Sequence, residues 1–207
     1  MTDPRAILLD VEGTTTSIAF VADTLFPFAR ARLAAWVAAN PGHPALADVP
    51  GDPLTTLTEW MDADAKVTPL KTIQGLIWRE GYESGTLHGH VYPDTPAAFA
   101  RWRDQGRTVA IYSSGSVEAQ RLLFAHSVAG DLTPHLAHHF DTTTGPKRAP
   151  ASYTAIAQAL ALPPPSILFV SDAAQEVDAA RAAGLHALLI DRERGAGDVA
   201  TLAEILP

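Results

Sequence analysis

Apolar runs alternate with helix-like stretches along much of the chain. Short β-prone runs are separated by segments in which apolar residues recur at helical spacing. The predicted strands are Ala6–Leu9, Thr108–Tyr112, Ile167–Val170 and His186–Ile190, with a weaker one at His138–Phe140, and the predicted helices are Ser116–His126, Ala151–Leu162 and Ala173–Ala183. Because such alternation is typical of βαβ units, we expect an α/β fold with a parallel sheet.

A long insertion separates the first two predicted strands. About a hundred residues lie between them, far more than one crossover needs. Apolar residues within this stretch recur at helical spacing in Ile18–Leu33 and Leu70–Ile77. We therefore expect an α/β core formed by residues 1–16 and 94–207, and a helical cap formed by residues 17–93 that lies over the strand ends as a lid.

Composition and charge narrow the range of partners. The 207 residues are 47% apolar and 18% charged, an ordinary globular balance that can form a sizeable core. The net charge of −8 argues against nucleic acid or an anionic membrane surface as a partner, and no apolar run is long enough to span a bilayer. The absence of cysteine excludes disulfides, a thiolate nucleophile and a cysteine-bound metal. We expect a cytoplasmic monomer that acts on a small molecule.

Two carboxylates follow the first predicted strand. Asp10 and Glu12 can point in the same direction because side chains alternate along an extended backbone, and Gly13 then lets the chain turn away. In open α/β sheets, ligands bind beyond the carboxyl ends of the strands. The pair suits a nucleophile beside an acid/base, or part of a metal site, although Asp-x-Glu also occurs in ordinary turns.

Hydroxyls and a lone lysine precede two of the helices. Ser113, Ser114 and Ser116 lie between the second strand and a helix, where backbone N–H groups can bind an anion and Ser116 can alternatively cap the helix. Lys147 comes from a loop, from which it could neutralise a phosphate or simply be a solvated surface residue.

A further acid ends the strand Ile167–Val170. Asp172 would face Asp10 and Glu12 across the strand ends, and oxygen ligands of this kind suit Mg²⁺. The alternative for Asp172 is a turn-forming role. Glu176 and Asp178 lie on the next helix, and Asp178 is expected at the surface.

The order of these motifs resembles that of the haloacid dehalogenase-like phosphohydrolases, whose nucleophile is the first Asp of an Asp-x-Asp-x-Thr/Val motif. This chain has Asp10-Val11-Glu12-Gly13-Thr14, with Glu in the second acidic position. That variant, together with the stretches 75–93, 112–120 and 171–180, is similar to the enolase-phosphatases (acireductone synthases) of methionine salvage. The resemblance covers nearly the whole chain and departs at Pro146, where many relatives have His. It implies a Rossmann-like parallel-sheet core with an inserted α-helical cap.

The resemblance also implies an activity. Its substrate would be 2,3-diketo-5-methylthiopentyl 1-phosphate, which is enolised and then loses phosphate to give the acireductone 1,2-dihydroxy-3-keto-5-methylthiopentene. Asp10 would form an aspartyl-phosphate, and Glu12 would act as acid and base. Mg²⁺ would be held by Asp10, Asp172 and the backbone carbonyl of Glu12. The resemblance also implies that Ser113, Ser114 and Lys147 bind the phosphate, and that Lys147 is in addition a catalytic residue.

Several alternatives stay open at this point. The base for enolisation could be Glu12, His88 or His90. The chain could instead be a haloacid dehalogenase-like phosphatase of another small phosphomonoester. It could also be a receiver-type signalling domain that accepts phosphate, with Asp141 after the weaker strand, although receivers are much shorter and have no insertion.

Overall fold

The computed structural model describes residues 3–206, which form two compact units. One unit comprises the described residues up to Ile18 and from Gly89 onward, and the other is Ala19–His88. The strands are β1 (Ala6–Leu9), β2 (Thr108–Tyr112), β3 (His138–Phe140), β4 (Ile167–Ser171) and β5 (His186–Leu189). The helices are α1 (Ile18–Phe20), α2 (Phe26–Ala39), α3 (Pro53–Asp62), α4 (Thr68–Glu83), α5 (Thr95–Asp104), α6 (Val117–Ala125), α7 (Pro150–Ala159) and α8 (Ala174–Ala182), with a π-helical turn at Val21–Leu25.

All five strands belong to one parallel sheet, which confirms the expected α/β class. Their order is β3-β2-β1-β4-β5, so β1 lies in the middle. Leu9 is in register with Ile111 of β2 and with Val170 of β4. The residues that follow these three strands therefore begin at the same edge of the sheet.

The strands present apolar side chains on both faces of the sheet, and helices pack against those faces. Tyr153 of α7 and Val177 of α8 pack with Leu8 and Phe169 in one buried cluster. Helix α5 contacts β2, and its Phe99 ring lies 5.8 Å from that of Phe124 in α6.

One predicted helix end was wrong. The sequence pattern placed the end of α7 at Leu162, but the helix ends at Ala159. Ala161 adopts a left-handed φ of 52°, and the N–H groups of Ala161 and Leu162 donate to the carbonyls of Gln158 and Ala157. This is a Schellman termination. It was missed because the left-handed residue is Ala rather than Gly.

The unit Ala19–His88 has a hydrophobic core of its own. Leu33, Leu57, Ile73 and Ile77 from α2, α3 and α4 are buried together. A cavity of about 310 Å³ in this unit is lined in part by Phe26, Leu70 and Gln74. Among the helices of the described residues, none combines the length and the apolar character needed to cross a bilayer.

Candidate active site

Asp10 opens a tight turn immediately after β1. Its side chain is buried, and its carboxylate accepts a hydrogen bond from the N–H of Val11 at 2.7 Å. The N–H groups of residues 14, 15 and 16 then converge on the carbonyl of Val11, at 3.2, 2.9 and 2.9 Å. Glu12 lies half-buried inside this turn, two residues beyond Asp10. The turn thus keeps the two acids on one short, internally bonded segment.

Lys147 lies directly against Asp10. Its Nζ is 2.5 Å from Oδ1 of Asp10 and 2.7 Å from Oε2 of Glu176, and its side chain is only 10% exposed. Burial alone would lower the pKa of Lys147, but the charges of Asp10 and Glu176 outweigh it and raise the pKa above its ordinary value. The lysine therefore carries its positive charge within the site.

The loop that carries Lys147 is fixed by three consecutive backbone carbonyls. The Tyr112 hydroxyl donates to the carbonyl of Gly145 at 2.9 Å, and the Ser152 hydroxyl donates to that of Pro146 at 2.8 Å. The Tyr153 hydroxyl donates to the carbonyl of Lys147 itself at 2.7 Å. Pro146 therefore takes part in an anchored loop, and its presence leaves the ammonium of the next residue in contact with Asp10.

Ser171 and Glu176 belong to the same cluster, although the sequence analysis assigned no role to Ser171 and left Glu176 undecided. The Ser171 hydroxyl lies 3.0 Å from Oδ2 of Asp10 and 3.0 Å from Oε2 of Glu176. Burial, followed by the charge of Asp10, raises the pKa of Glu176. Strand alternation offered a signal for Ser171, because it points to the same side of the sheet as Phe169. Asp178, by contrast, is exposed, as expected.

Asp172 completes the acidic side of the site. Burial, together with the charge of Asp10, raises its pKa to about 6. A Cβ on Gly13 would lie 2.1 Å from Oδ2 of Asp172, so the turn after Asp10 and the end of β4 approach closely. The structure thus brings Asp10, Lys147 and Asp172 together.

The donor set fits a divalent cation bound partly by backbone oxygen. The carboxylates of Asp10 and Glu176 contact the ammonium of Lys147, and Asp172 lies within the electrostatic influence of Asp10 and Lys147. The three acids exceed the single ammonium by two negative charges when all are ionised. Within residues 3–206, no three His, Cys, Asp or Glu side chains form a group able to hold a metal by side chains alone. Two carboxylates and a carbonyl are the kind of oxygen set that Mg²⁺ accepts with bound water.

The hydroxyl turn after β2 lies at the same sheet edge. Ser113 is buried, its N–H donates to the carbonyl of Phe140 at 3.1 Å, and its Oγ accepts from the N–H of Gly115 at 3.1 Å. Ser114 is exposed. Ser116 caps α6 by accepting from the N–H of Ala119 at 3.2 Å, so the capping alternative is correct for that residue.

The remaining candidates differ in their surroundings. His88 is exposed in the unit Ala19–His88. His90 accepts the N–H of Ser17 at Nδ1 at 3.1 Å, which places the proton of the neutral ring on Nε2, and burial lowers its pKa. Asp141, the receiver-type candidate, accepts from the N–H groups of Val117 and Thr143 and so serves the start of α6 and its own turn.

Comparison with known proteins agrees with the observed fold. Residues 4–184 match the family of haloacid dehalogenase-like hydrolases. The chain is 49% identical to enolase-phosphatase E1 of Methylococcus capsulatus, over 93% of this chain and 91% of that protein. It is 44% identical to enolase-phosphatase E1 of Pseudomonas aeruginosa, over 98% of each. The crystal structure of the UTR4 protein of Saccharomyces cerevisiae has a TM-score of 0.83 and 32% identity, over 91% of this chain and 90% of that one.

The parallel sheet, the Asp10 turn and the family match define a hydrolase of the haloacid dehalogenase-like class. Within that class, the chain belongs to the enolase-phosphatase E1 family. The resemblance drawn from the motifs is thereby confirmed.

Proposed function

We propose that the protein is a Mg²⁺-dependent, bifunctional enolase-phosphatase of methionine salvage. It converts 2,3-diketo-5-methylthiopentyl 1-phosphate to the acireductone 1,2-dihydroxy-3-keto-5-methylthiopentene and phosphate, as a cytoplasmic monomer. The observation that carries the proposal is the convergence of Asp10, Lys147 and Asp172 at one sheet edge, in a chain whose relatives of that name match it over most of its length.

The phosphatase step is a double displacement at phosphorus. A carboxylate oxygen of Asp10 forms a bond to phosphorus while the ester bond to the leaving oxygen breaks, and Glu12 gives that oxygen a proton. Water then attacks the aspartyl-phosphate and Glu12 takes the proton of the water. The bond between phosphorus and Asp10 breaks, which releases phosphate and restores the carboxylate.

The charged groups around Asp10 bind and orient the phosphoryl group. Lys147, already in contact with Asp10, neutralises one of its oxygens, and Ser113 and Ser114 bind the others. Asp10, Asp172 and the backbone carbonyl of Glu12 would hold Mg²⁺, which when bound supplies further neutralisation of the phosphoryl oxygens.

Enolisation requires a base near the carbon beside the carbonyl. Nδ1 of His90 already accepts a backbone N–H, and the other ring nitrogen carries the proton, so neither is available to take one. This favours Glu12 as the base, with His90 at most a hydrogen-bond donor.

The test is turnover of the diketo phosphate with and without Mg²⁺. We expect release of phosphate and appearance of the acireductone absorbance, both abolished by a chelator and restored by added Mg²⁺. Asp10→Asn should lower phosphate release by roughly 1000-fold or more while enolisation, followed by absorbance, persists. Asp178→Asn, on the exposed face of α8, is the matched control and should leave both steps unchanged.

Two other outcomes would identify different functions. Efficient hydrolysis of sugar phosphates without turnover of the diketo phosphate would make the protein another phosphatase of the same class. A stable phosphorylated form without release of phosphate would support a phosphate-accepting signalling domain.

A further inference from the structure

Arg192 is buried against the turn that carries the two catalytic acids. Its side chain is 8% exposed. Nε and Nη2 both donate to the carbonyl of Thr14, at 3.0 and 2.6 Å, and Nη1 donates to Oδ2 of Asp94 at 2.7 Å. Its guanidinium carbon lies 4.3 Å from the centre of the Tyr92 ring. None of the motifs described above includes this residue.

The partners of Arg192 are themselves fixed. Asp94 also accepts the N–H of Leu202, at 2.6 Å, so it holds both the guanidinium and the backbone of a distant segment. Hydrogen bonds from a charged donor are stronger than neutral ones, and the planar guanidinium orients its target as well as attracting it. The two hydrogen bonds from the planar guanidinium therefore fix both the orientation and the position of the Thr14 carbonyl.

The contact between Arg192 and Thr14 links the turn that follows Asp10 to residues outside that turn. Inside the turn, three N–H groups converge on the carbonyl of Val11. Outside it, the carbonyl of Thr15 accepts from the N–H of Tyr92 and from the hydroxyl of Thr95, at 3.0 and 3.2 Å, next to the contact of Arg192 with Thr14. Glu12 lies between Asp10, which is fixed to Lys147, and this externally held end of the turn.

We propose that Arg192 is a positioning residue for Glu12. By fixing the carbonyl of Thr14, it keeps the carboxyl group of Glu12 at the distance from Asp10 that proton transfer to the leaving oxygen and from the attacking water requires. The inference rests on the proposed phosphatase reaction. A displacement of about 1 Å at such a group can cost on the order of 100-fold in rate, so a lost contact outside the turn should be visible in kcat.

A matched control distinguishes the positioning of Glu12 from a purely structural role of Arg192. Arg101 also donates to backbone carbonyls, those of Leu202, Ile205 and Leu206, at 3.0, 3.1 and 3.0 Å. It binds the C-terminal segment and makes none of these contacts with the turn of Asp10. Replacing either arginine by lysine keeps the positive charge but loses the paired donors.

The experiment compares Arg192→Lys with Arg101→Lys in the full-length protein with Mg²⁺. We expect both variants to lower the melting temperature, and only Arg192→Lys to lower kcat, by roughly 10- to 100-fold with KM changed less than twofold. Asp94→Asn, which removes the counter-charge but keeps the guanidinium, should give a smaller fall in kcat in the same direction. A kcat for Arg192→Lys equal to that of Arg101→Lys overturns the proposal.

A double variant tests whether the effect passes through Glu12. Glu12→Gln combined with Arg192→Lys should be no slower than Glu12→Gln alone, because the group to be positioned is already disabled. Losses that multiply would show that Arg192 does not act through Glu12 and would also overturn the proposal. The assays use both p-nitrophenyl phosphate and the diketo phosphate. A wild-type protein that hydrolyses only the former contradicts the proposed substrate, while the Arg192 comparison is still read on that ester.

Discussion

Gly13 shows at the scale of one residue why the acidic motif needs its glycine. Its φ is 72°, a left-handed conformation that costs other residues about 1–2 kcal/mol. In addition, a Cβ at this position would lie 2.1 Å from Oδ2 of Asp172. The conformational requirement and the close approach are separate effects, and a second glycine allows them to be measured separately.

Gly13→Ala should therefore abolish most activity, whereas Gly106→Ala should not. Gly106 has the same φ of 72° with nothing within 4 Å of its would-be Cβ. Both variants should lose roughly 1–2 kcal/mol of unfolding free energy for the left-handed backbone, measured by urea denaturation, and Gly13→Ala should lose more because its Cβ displaces Asp172. Only Gly13→Ala should also lower kcat, by about 100-fold, because Asp172 must move. Normal kcat in Gly13→Ala would show that the Asp172 contact does not matter.

The residues of the site were predictable to the extent that they form local motifs. Asp10, Glu12 and Asp172 follow strands, and Lys147 precedes a helix, so their place in the sequence already indicated a common edge. Strand alternation indicates which side of the sheet Ser171 faces, but a serine at the end of a strand is ordinary and does not by itself indicate a role. Its importance lies in contacts with Asp10, 161 residues away, and with Glu176, and only the folded chain specifies those.

The interface of α6 and β3 illustrates how one element positions another. The amide nitrogen of Gln120 in α6 donates to the carbonyls of Gly115 and Phe140, both at 2.9 Å, and so joins the hydroxyl turn to the end of β3. Its amide oxygen is 3.2 Å from Nδ1 of His139, which must then be the protonated nitrogen of the neutral ring. The Nδ1–H of His139 is thus part of the connection that orients Ser113.

The burial of His139 should make stability depend on pH. Burial, with smaller contributions from Arg121 and His138, lowers the pKa of His139 from 6.5 to about 4. Because the unfolded chain binds the proton first, this contribution is complete above pH 6.5 and is lost as the pH falls towards 4. Between pH 7 and 5, His139→Asn should lose less unfolding free energy than the wild type in urea titrations, while His138→Asn, at an exposed position, should match the wild type. Equal losses in all three proteins would contradict the role of His139.

At this scale, the strands were easier to predict than the helices. The apolar runs of β1 and β2 coincide with the observed strands, because a strand inside a parallel sheet must be apolar on both faces. Helices α3 and α5 were not predicted. Both begin at or next to a proline, Pro53 in α3 and Pro96 in α5, which suits the first turn of a helix but also marks turns, so the signal was ambiguous.

The described residues form two units, and the sheet-containing unit makes contacts of its own where the insertion begins and ends. The Thr16 hydroxyl donates to the carbonyl of His90 at 2.6 Å, and the N–H of Ser17 donates to its ring at 3.1 Å. The chain therefore leaves the sheet-containing unit and re-enters it at neighbouring points. Each unit also has its own buried cluster. The spacing of the predicted strands indicates an insertion.

Replacement of residues 19–88 by a short Gly/Ser linker should leave a folded sheet-containing unit. We expect cooperative thermal unfolding followed by circular dichroism, since the five strands and their covering helices are all retained. An aggregated product, or one that unfolds without cooperativity, would contradict the independence of the unit.

The central position of β1 has a consequence for synthesis of the protein in the cell. Strand β1 is synthesised first but pairs with β2 on one side and β4 on the other, and both are synthesised later. Strand β4 is made only when most of the chain has left the ribosome. A product truncated or stalled before β4 therefore carries the nucleophile but lacks β4 and the Asp172 that follows it. The complete active site can therefore form only late in translation. Until β4 is made, β1 lacks one of its neighbours, and its exposed apolar residues favour aggregation unless chaperones bind the chain or folding is rapid.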